Sequence, residues 1–231
     1  MQLRRFANKA ALDDELVRIL QALFQAPGPA NTPAAILLAG GETPRAAYER
    51  LAKETGEAGH ALWLMLTDER MVPPDSADSN FARVGPLAGA LAVPPNRILL
   101  VDTEKAPAEA ATLYDQDIRD FLASGGIFPL CLLGLGGDGH TAALFSPDDL
   151  ARGKDRFATA VDRPDGRAGV SITPLLLQRV ERLIFVVSGA NKRQVVQTLL
   201  DTPHALTAGL AVAGHAHVEI WVDDEAAPGD A

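Results

Sequence analysis

The sequence predicts an α/β fold, doubly wound, with a mainly parallel sheet and helices on both faces, and three observations carry that prediction. Short apolar runs of strand length recur at Ala34 to Ala39, Ala61 to Leu66, Phe128 to Leu133 and Leu183 to Val187. Longer stretches with apolar residues at helical spacing separate them, and a βαβα alternation of this kind builds a parallel sheet. Two of the runs end in glycine clusters, at Gly40-Gly41 and at Gly134 to Gly139, where the backbone can turn sharply and approach a ligand.

The 231 residues suit one large domain, 1–231, long enough to bury about three quarters of the surface that the unfolded chain exposes. No linker divides it. With 47 % hydrophobic and 22 % charged residues, the chain falls in neither the disordered nor the membrane class, and no run approaches the length of a transmembrane span. A formal net charge of −9 argues against general binding to nucleic acid or to anionic membranes. An anionic small molecule therefore needs a local basic site. The single cysteine, Cys131, lies in an apolar run and reads as a small core residue, with no zinc-type spacing around it.

At the N-terminus Arg4-Arg5-Phe6 has the look of an export signal, but Asp13-Asp14-Glu15 stands where an apolar core would follow, so the expectation is a cytoplasmic protein. Leu12, Leu16, Ile19, Leu20 and Leu23 predict a helix over Ala11 to Phe24, with the three acids in its first turn where the macrodipole favours them. Pro27-Gly28-Pro29 ends it. After the strand Ala34 to Ala39, Pro44 opens a helix from Arg45 to Lys53 with Thr43 as its cap, so Gly40-Gly41-Glu42-Thr43 presents N–H groups and a hydroxyl at a strand-to-helix junction. Either a phosphate cradle or an ordinary capped turn is built this way.

Thr67-Asp68-Glu69-Arg70 follows the next strand, at the carboxyl edge where parallel sheets hold ligands. Arg70 can meet a ligand there or pair with a neighbouring carboxylate. Ser79-Asn80 reads as the cap of a short helix with no chemical role. A strand entry over Asn96 to Asp102 precedes an amphipathic helix, Ala106 to Ala123, with Leu113, Ile118, Phe121 and Leu122 as its apolar face.

The glycine turn after Phe128 to Leu133 predicts a strand, a tight turn and a helix start, with His140 at the rim. A His can exchange a proton near neutral pH, and Asp138 is close enough in sequence to orient the ring. Two other readings fit these residues alone. Gly134, Gly136 and Gly139 satisfy G-x-G-x-x-G, with Asp162 after the next apolar run, as in a dinucleotide fingerprint. A buried turn with a hydrogen-bonded His is the other.

Asp155 to Asp162 and Gly169 to Thr173 predict strands around the basic loop Arg163 to Arg167. Ser188-Gly189 turns the strand Leu183 to Val187 into a helix from Asn191 to Leu200, with Lys192 either adding a cation to an anion site or lying on the surface. His215 and His217 share one face if they lie in the last strand, but no third ligand stands at a metal-site spacing, so no metal is expected. There is no internal repeat and no G-x-S-x-G elbow.

Gly134-Leu135-Gly136-Gly137-Asp138-Gly139-His140-Thr141-Ala142-Ala143-Leu144-Phe145 resembles, almost residue for residue, the signature of the 6-phosphogluconolactonases, which are grouped with glucosamine-6-phosphate deaminases and ribose-5-phosphate isomerases. Three more segments resemble the family in the same order: Ala39 to Pro44, Thr67 to Pro73 with Asp78 to Phe81, and Ser188 to Lys192. The resemblance implies a Rossmann-like fold and hydrolysis of 6-phospho-D-glucono-1,5-lactone to 6-phosphogluconate in the oxidative pentose phosphate pathway, without cofactor or metal. It implies that His140 activates water, with Asp138 holding the imidazole and Arg70 facing the reacting centre. Gly40, Gly41, Thr43 and Lys192 would hold the phosphate, Asp68 would line the pocket and Glu69 would be structural.

Two departures stand out against the family pattern. Glu42 replaces the common Ser, so its carboxylate must turn to solvent; and Gly169 stands where an Arg usually precedes the strand, which leaves Arg167 to supply the charge. The partner expected is a phosphorylated sugar lactone, not nucleic acid or a membrane, for a monomer or homodimer. A deaminase of this group carries an acid five residues after the His, where this chain has Phe145. A silent sugar-phosphate sensor is the rival from another class.

Overall fold

The computed structural model describes residues 1–26, 28, 29, 32–54 and 56–229. In chain order the elements are β1 (Gln2–Phe6), α1 (Lys9–Gln25), β2 (Ala34–Leu38), α2 (Glu42–Glu54), β3 (Leu62–Leu66), β4 (Asp68–Arg70), α3 (Asn80–Ala90), β5 (Ile98–Leu99), α4 (Pro107–Ala123) and β6 (Ile127–Leu133). They continue as α5 (Pro147–Arg152), β7 (Ala158–Asp162), β8 (Ala168–Ile172), α6 (Pro174–Leu177), β9 (Leu183–Val187), α7 (Arg193–Asp201), α8 (Thr207–Ala211) and β10 (Val218–Asp223). Seven strands form one parallel sheet in the order β1-β10-β9-β6-β2-β3-β5. The doubly wound α/β architecture is present.

Alternation along the central strands explains the two layers of helix. Ile36, Leu38, Leu130, Leu132, Ile184 and Val186 pack on one face with α1, α2 and α3, while Leu37, Cys131, Leu133, Phe185 and Val187 pack on the other with α4, α7 and α8. Successive residues of a strand point to opposite faces, so a strand covered on both sides must be apolar throughout. That is why these strands read as continuous apolar runs. Truncating any of the large residues here, Phe185 for example, costs about 3–5 kcal/mol.

Several elements depart from the sequence reading. A second, three-stranded antiparallel sheet, β4-β8-β7, sits beside the main one, with Arg70 opposite Gly169 and Gly169 opposite Val161. The edge strand β1 contains Arg4 and Arg5 and pairs with β10; it is short and exposed, so no apolar run announces it. Helix α1 starts two residues earlier than expected, capped by the Asn8 side chain, which accepts from Ala11 N at 2.9 Å. Asp13, Asp14 and Glu15 therefore lie beyond the first turn and pair with Lys9, Arg50, Arg4 and Arg18 instead of the dipole. At its other end α1 stops at Gln25, one residue past the expected Phe24 and ahead of Pro27-Gly28-Pro29, of which Pro27 lies outside the described residues.

Helix α2 begins at Glu42, which puts Thr43 inside its first turn and not at the cap. The expected strand Asn96 to Asp102 is a 3-10 turn followed by only two ladder residues, and Leu113 is exposed, the buried face of α4 being Ala110, Ala111, Tyr114, Ile118 and Phe121. No helix among the described residues is long and apolar enough to cross a membrane.

Candidate active site

Strand order fixes where a ligand can sit. From β2 the chain winds outward through β3 and β5, then returns to β6 on the other side of β2 and winds the opposite way. Loops leaving the carboxyl ends of β2 and β6 therefore diverge and leave a crevice. A cavity of about 320 Å³ occupies it, a size suited to a small metabolite. Gly40, Gly41, Glu42, Thr43 and Pro44 line one side; Gly134, Leu135, Gly136, His140 and Ala142 line another; Thr67, Asp68, Arg70, Asn80, Arg163 and Lys192 complete it.

The glycine loop is not followed by a helix. Residues 141–144 form a tight turn, closed by a bridge between Thr141 and Leu144, and the next helix is α5, so no helix dipole points from this loop into the cavity. The loop instead holds its shape through its own bonds. Gly136 N donates to His140 O at 2.8 Å, Gly139 N to Gly136 O at 3.1 Å, and Thr141 Oγ1 to Gly134 O at 2.8 Å. Gly139 has φ +86°, and a Cβ there would stand 2.5 Å from Leu206. Ala142 is a non-glycine residue with φ +49°, and it lines the cavity. Left-handed backbone at an alanine costs about 1 kcal/mol or more and persists only when surroundings enforce it. Here Ala143 N donates to Ser171 Oγ at 3.1 Å, pinning the turn to β8.

His140 is 28 % exposed, and its Nδ1 lies 2.5 Å from Asp138 Oδ1. Partial burial alone raises the Asp138 carboxyl, but the hydrogen bond and charge of His140 outweigh it and hold the group below its ordinary value. An ionised carboxylate can only accept, so Nδ1 carries the proton. That leaves Nε2 with a free lone pair in the neutral ring. A Cβ on Gly136 would overlap both His140 and Asp138, which is why the loop needs glycine there. Phe145 packs against the imidazole with ring centroids 4.4 Å apart.

On the opposite wall Asp68 accepts from Thr67 Oγ1 at 2.9 Å and from Asn80 Nδ2 at 3.0 Å. Asn80, read from sequence only as a cap, also donates to Asp68 O and fills the space a Cβ on Gly40 would take. Ser79 is the cap, its Oγ accepting from Ala82 N at 3.2 Å. Glu69 is buried and collects bonds from Arg70 N, Ser79 Oγ, Asn80 N and Phe81 N, which ties the loop to the start of α3. Arg70 donates from Nη1 to Asp78 O at 2.5 Å, and its buried Nε has no partner among the described residues. Glu42, also a lining residue, is 68 % exposed and pairs with Arg83 at 3.0 Å.

Lys192 donates to Leu135 O at 2.7 Å, in the 3-10 turn ahead of α7 and not in that helix. Arg167 is not among the lining residues: its Nη1 pairs with Asp78 Oδ2 at 2.5 Å on the surface. Arg163 lines the cavity in its place. Its only sequence signal was a place in the same basic loop, at the end of a strand. Asp162 is exposed on the second sheet, so with no helix after Gly139 the dinucleotide fingerprint lacks both its structural supports. His215 and His217 precede β10, and both ring nitrogens of His215 are engaged, by Val180 O and by His217 N. The shared strand face expected for a metal pair is not formed.

The local charge is positive against the global field: Arg70, Arg163 and Lys192 face Glu42 and Asp68 around one cavity. Residues 7–221 match the family described as glucosamine-6-phosphate isomerases/6-phosphogluconolactonase. The chain belongs to this family. Among its relatives, the 6-phosphogluconolactonase of Nostoc sp. is 38 % identical over 167 residues, covering 68 % of each chain. That of Thermotoga maritima is 33 % identical over 174 residues, 73 % of this chain and 76 % of the relative. The solved structure of 6-phosphogluconolactonase from Thermotoga maritima superposes with a TM-score of 0.81 at 26 % identity, over 96 % of this chain and 99 % of that one. A second family structure, 6-phosphogluconolactonase from Trypanosoma brucei, gives 0.78 at 26 % identity over 97 % of both chains.

Proposed function

We propose that this chain hydrolyses 6-phospho-D-glucono-1,5-lactone to 6-phospho-D-gluconate, a step of the oxidative pentose phosphate pathway. The observation that carries the reading is the His140–Asp138 pair opening on the same cavity as the Gly40-Gly41-Thr43 turn and Lys192. Family membership and the names of the relatives support the same reaction.

A δ-lactone is an activated ester, so the site needs a positioned water and a stabiliser for the charge that develops. Neutral His140 takes a proton at Nε2 as the water oxygen adds to the ring carbonyl. Arg70 stabilises the tetrahedral oxyanion while Asp138 holds the imidazolium. Collapse breaks the bond to the ring oxygen, which receives the proton back from His140, and the new carboxylic acid then ionises. Asp68 orients sugar hydroxyls, and Gly40, Gly41, Thr43 and Lys192 hold the phosphate at a fixed distance from the carbonyl.

We read the chain as a monomer or a homodimer. A phosphorylated sugar does not cross a membrane unaided, which puts the enzyme in the cytoplasm with its substrate. The test generates the lactone with glucose-6-phosphate dehydrogenase and follows acid release. A rate well above spontaneous hydrolysis is expected. A background rate, or ammonia release from glucosamine 6-phosphate, overturns the reading.

A further inference from the structure

We propose that Arg163 grips the phosphoryl group of the substrate, reaching the cavity across Gly169. The proposal rests on the sugar-phosphate reading above and names the residue that selects for the phosphate. Arg163 is only 12 % exposed. Its guanidinium lies 5.2 Å from the ring centroid of Phe145, and Nε donates to Asp165 Oδ2 at 3.3 Å. Neither Nη makes a hydrogen bond among the described residues, so the stem is held while the two-pronged end stays available.

Gly169 makes that path possible. The register sets it opposite Arg70 on one strand and Val161 on the other, and a Cβ there would stand 3.3 Å from Arg163 Cδ and 3.1 Å from Glu69 O. Both distances are tighter than ordinary contact, so a side chain there would require the Arg163 stem and the Glu69 backbone to give by a few tenths of an ångström. The glycine and the arginine are one arrangement.

The other cations of the region each have a protein partner already, although Arg70 and Lys192 keep further donors for the roles given them above. Arg70 Nη1 is bonded to Asp78 O and Lys192 Nζ to Leu135 O, while Arg167 pairs with Asp78 outside the cavity. A planar fork with free donors matches two oxygens of a phosphoryl group, whereas a lactone carbonyl offers one. Phe145 supports both this guanidinium and the His140 ring, which fixes the phosphate grip relative to the base.

The test compares Arg163→Ala, Arg163→Lys and Arg167→Ala on 6-phosphogluconolactone and on unphosphorylated glucono-1,5-lactone. For Arg163→Ala, KM for the phosphorylated substrate should rise roughly 10- to 100-fold, with kcat changed far less and the unphosphorylated lactone little affected. Arg163→Lys should fall between, because it keeps the charge and loses the fork; Arg167→Ala should change KM less than about twofold. Equal losses on both lactones, or an unchanged KM in Arg163→Ala, overturn the proposal. Calorimetric titration with 6-phosphogluconate reads the same contact without turnover. Weaker binding by Arg163→Ala than by Arg167→Ala supports the grip even where no lactone is hydrolysed, and equal binding overturns it. Arg163→Gln, which retains the packing stem, takes the place of the alanine variant if that does not fold.

Discussion

Gly136 faces the imidazole of His140 so closely that a single added methyl group would overlap ring atom Nδ1. The same methyl would collide with Asp138 Oδ1, so the loop can seat its base and carboxylate together only over a residue without a side chain. Gly136→Ala should therefore displace the pair while leaving the sheet in place. We expect kcat to fall by about 100-fold and stability by about 1–3 kcal/mol, read from lactone turnover and urea unfolding. Near wild-type turnover would mean that the pair is not held by this contact.

His140→Ala separates chemistry from fold. The side chain is part-exposed at a loop rim, so circular dichroism and the unfolding midpoint should stay close to wild type. Enzyme-dependent acid release should fall by about 10²- to 10⁴-fold after subtraction of the spontaneous rate. Retained turnover removes His140 as the base.

In the proposed mechanism Lys192 contributes charge and not proton transfer. Lys192→Ala should raise KM about tenfold and lower kcat less, provided the Leu135 carbonyl it bonds is taken up by solvent. An unchanged KM takes it out of the phosphate site.

Acid stability gives a check far from the site. The hydrogen bond from Arg18, aided by Arg4 against the cost of burial, holds the Glu15 carboxyl at about 2, below its ordinary 4.5. A carboxyl depressed in the folded state stabilises fully above about pH 4.5 and loses that contribution as the pH falls toward about 2. Glu15→Gln should therefore be less stable than wild type at pH 7, by under about 1 kcal/mol because solvent screens the pair. The gap should close near pH 2, with urea midpoints at both pH values as the readout.

The main sheet was legible because β2, β3, β6 and β9 are buried and have no room for polar residues. By contrast β1, β4 and β5 are short, at an edge or rich in charge, and their pairing comes from partners distant in sequence. The tight glycine turn with His140 at its rim was equally plain, but the helix expected to start directly after it is instead a second turn closed by the Thr141–Leu144 bridge. Arg163 was hidden: proximity to Gly169 in sequence favoured Arg167, whereas the hairpin sends Arg167 to Asp78 and Arg163 inward. Asn80 was hidden behind a capping role that belongs to Ser79. Ala142 carries a backbone conformation that no alanine advertises.

The carbonyl of Gly139 accepts from Ala208 N and from Thr207 Oγ1, sixty-eight residues downstream, and Leu206 packs on the same glycine. That distant clasp adds nothing to the cavity wall, yet it braces the peptide on which the imidazole rides. On the proposed mechanism, competence depends on order in a stretch outside the cavity lining, and disorder there should silence the enzyme while its central sheet still stands.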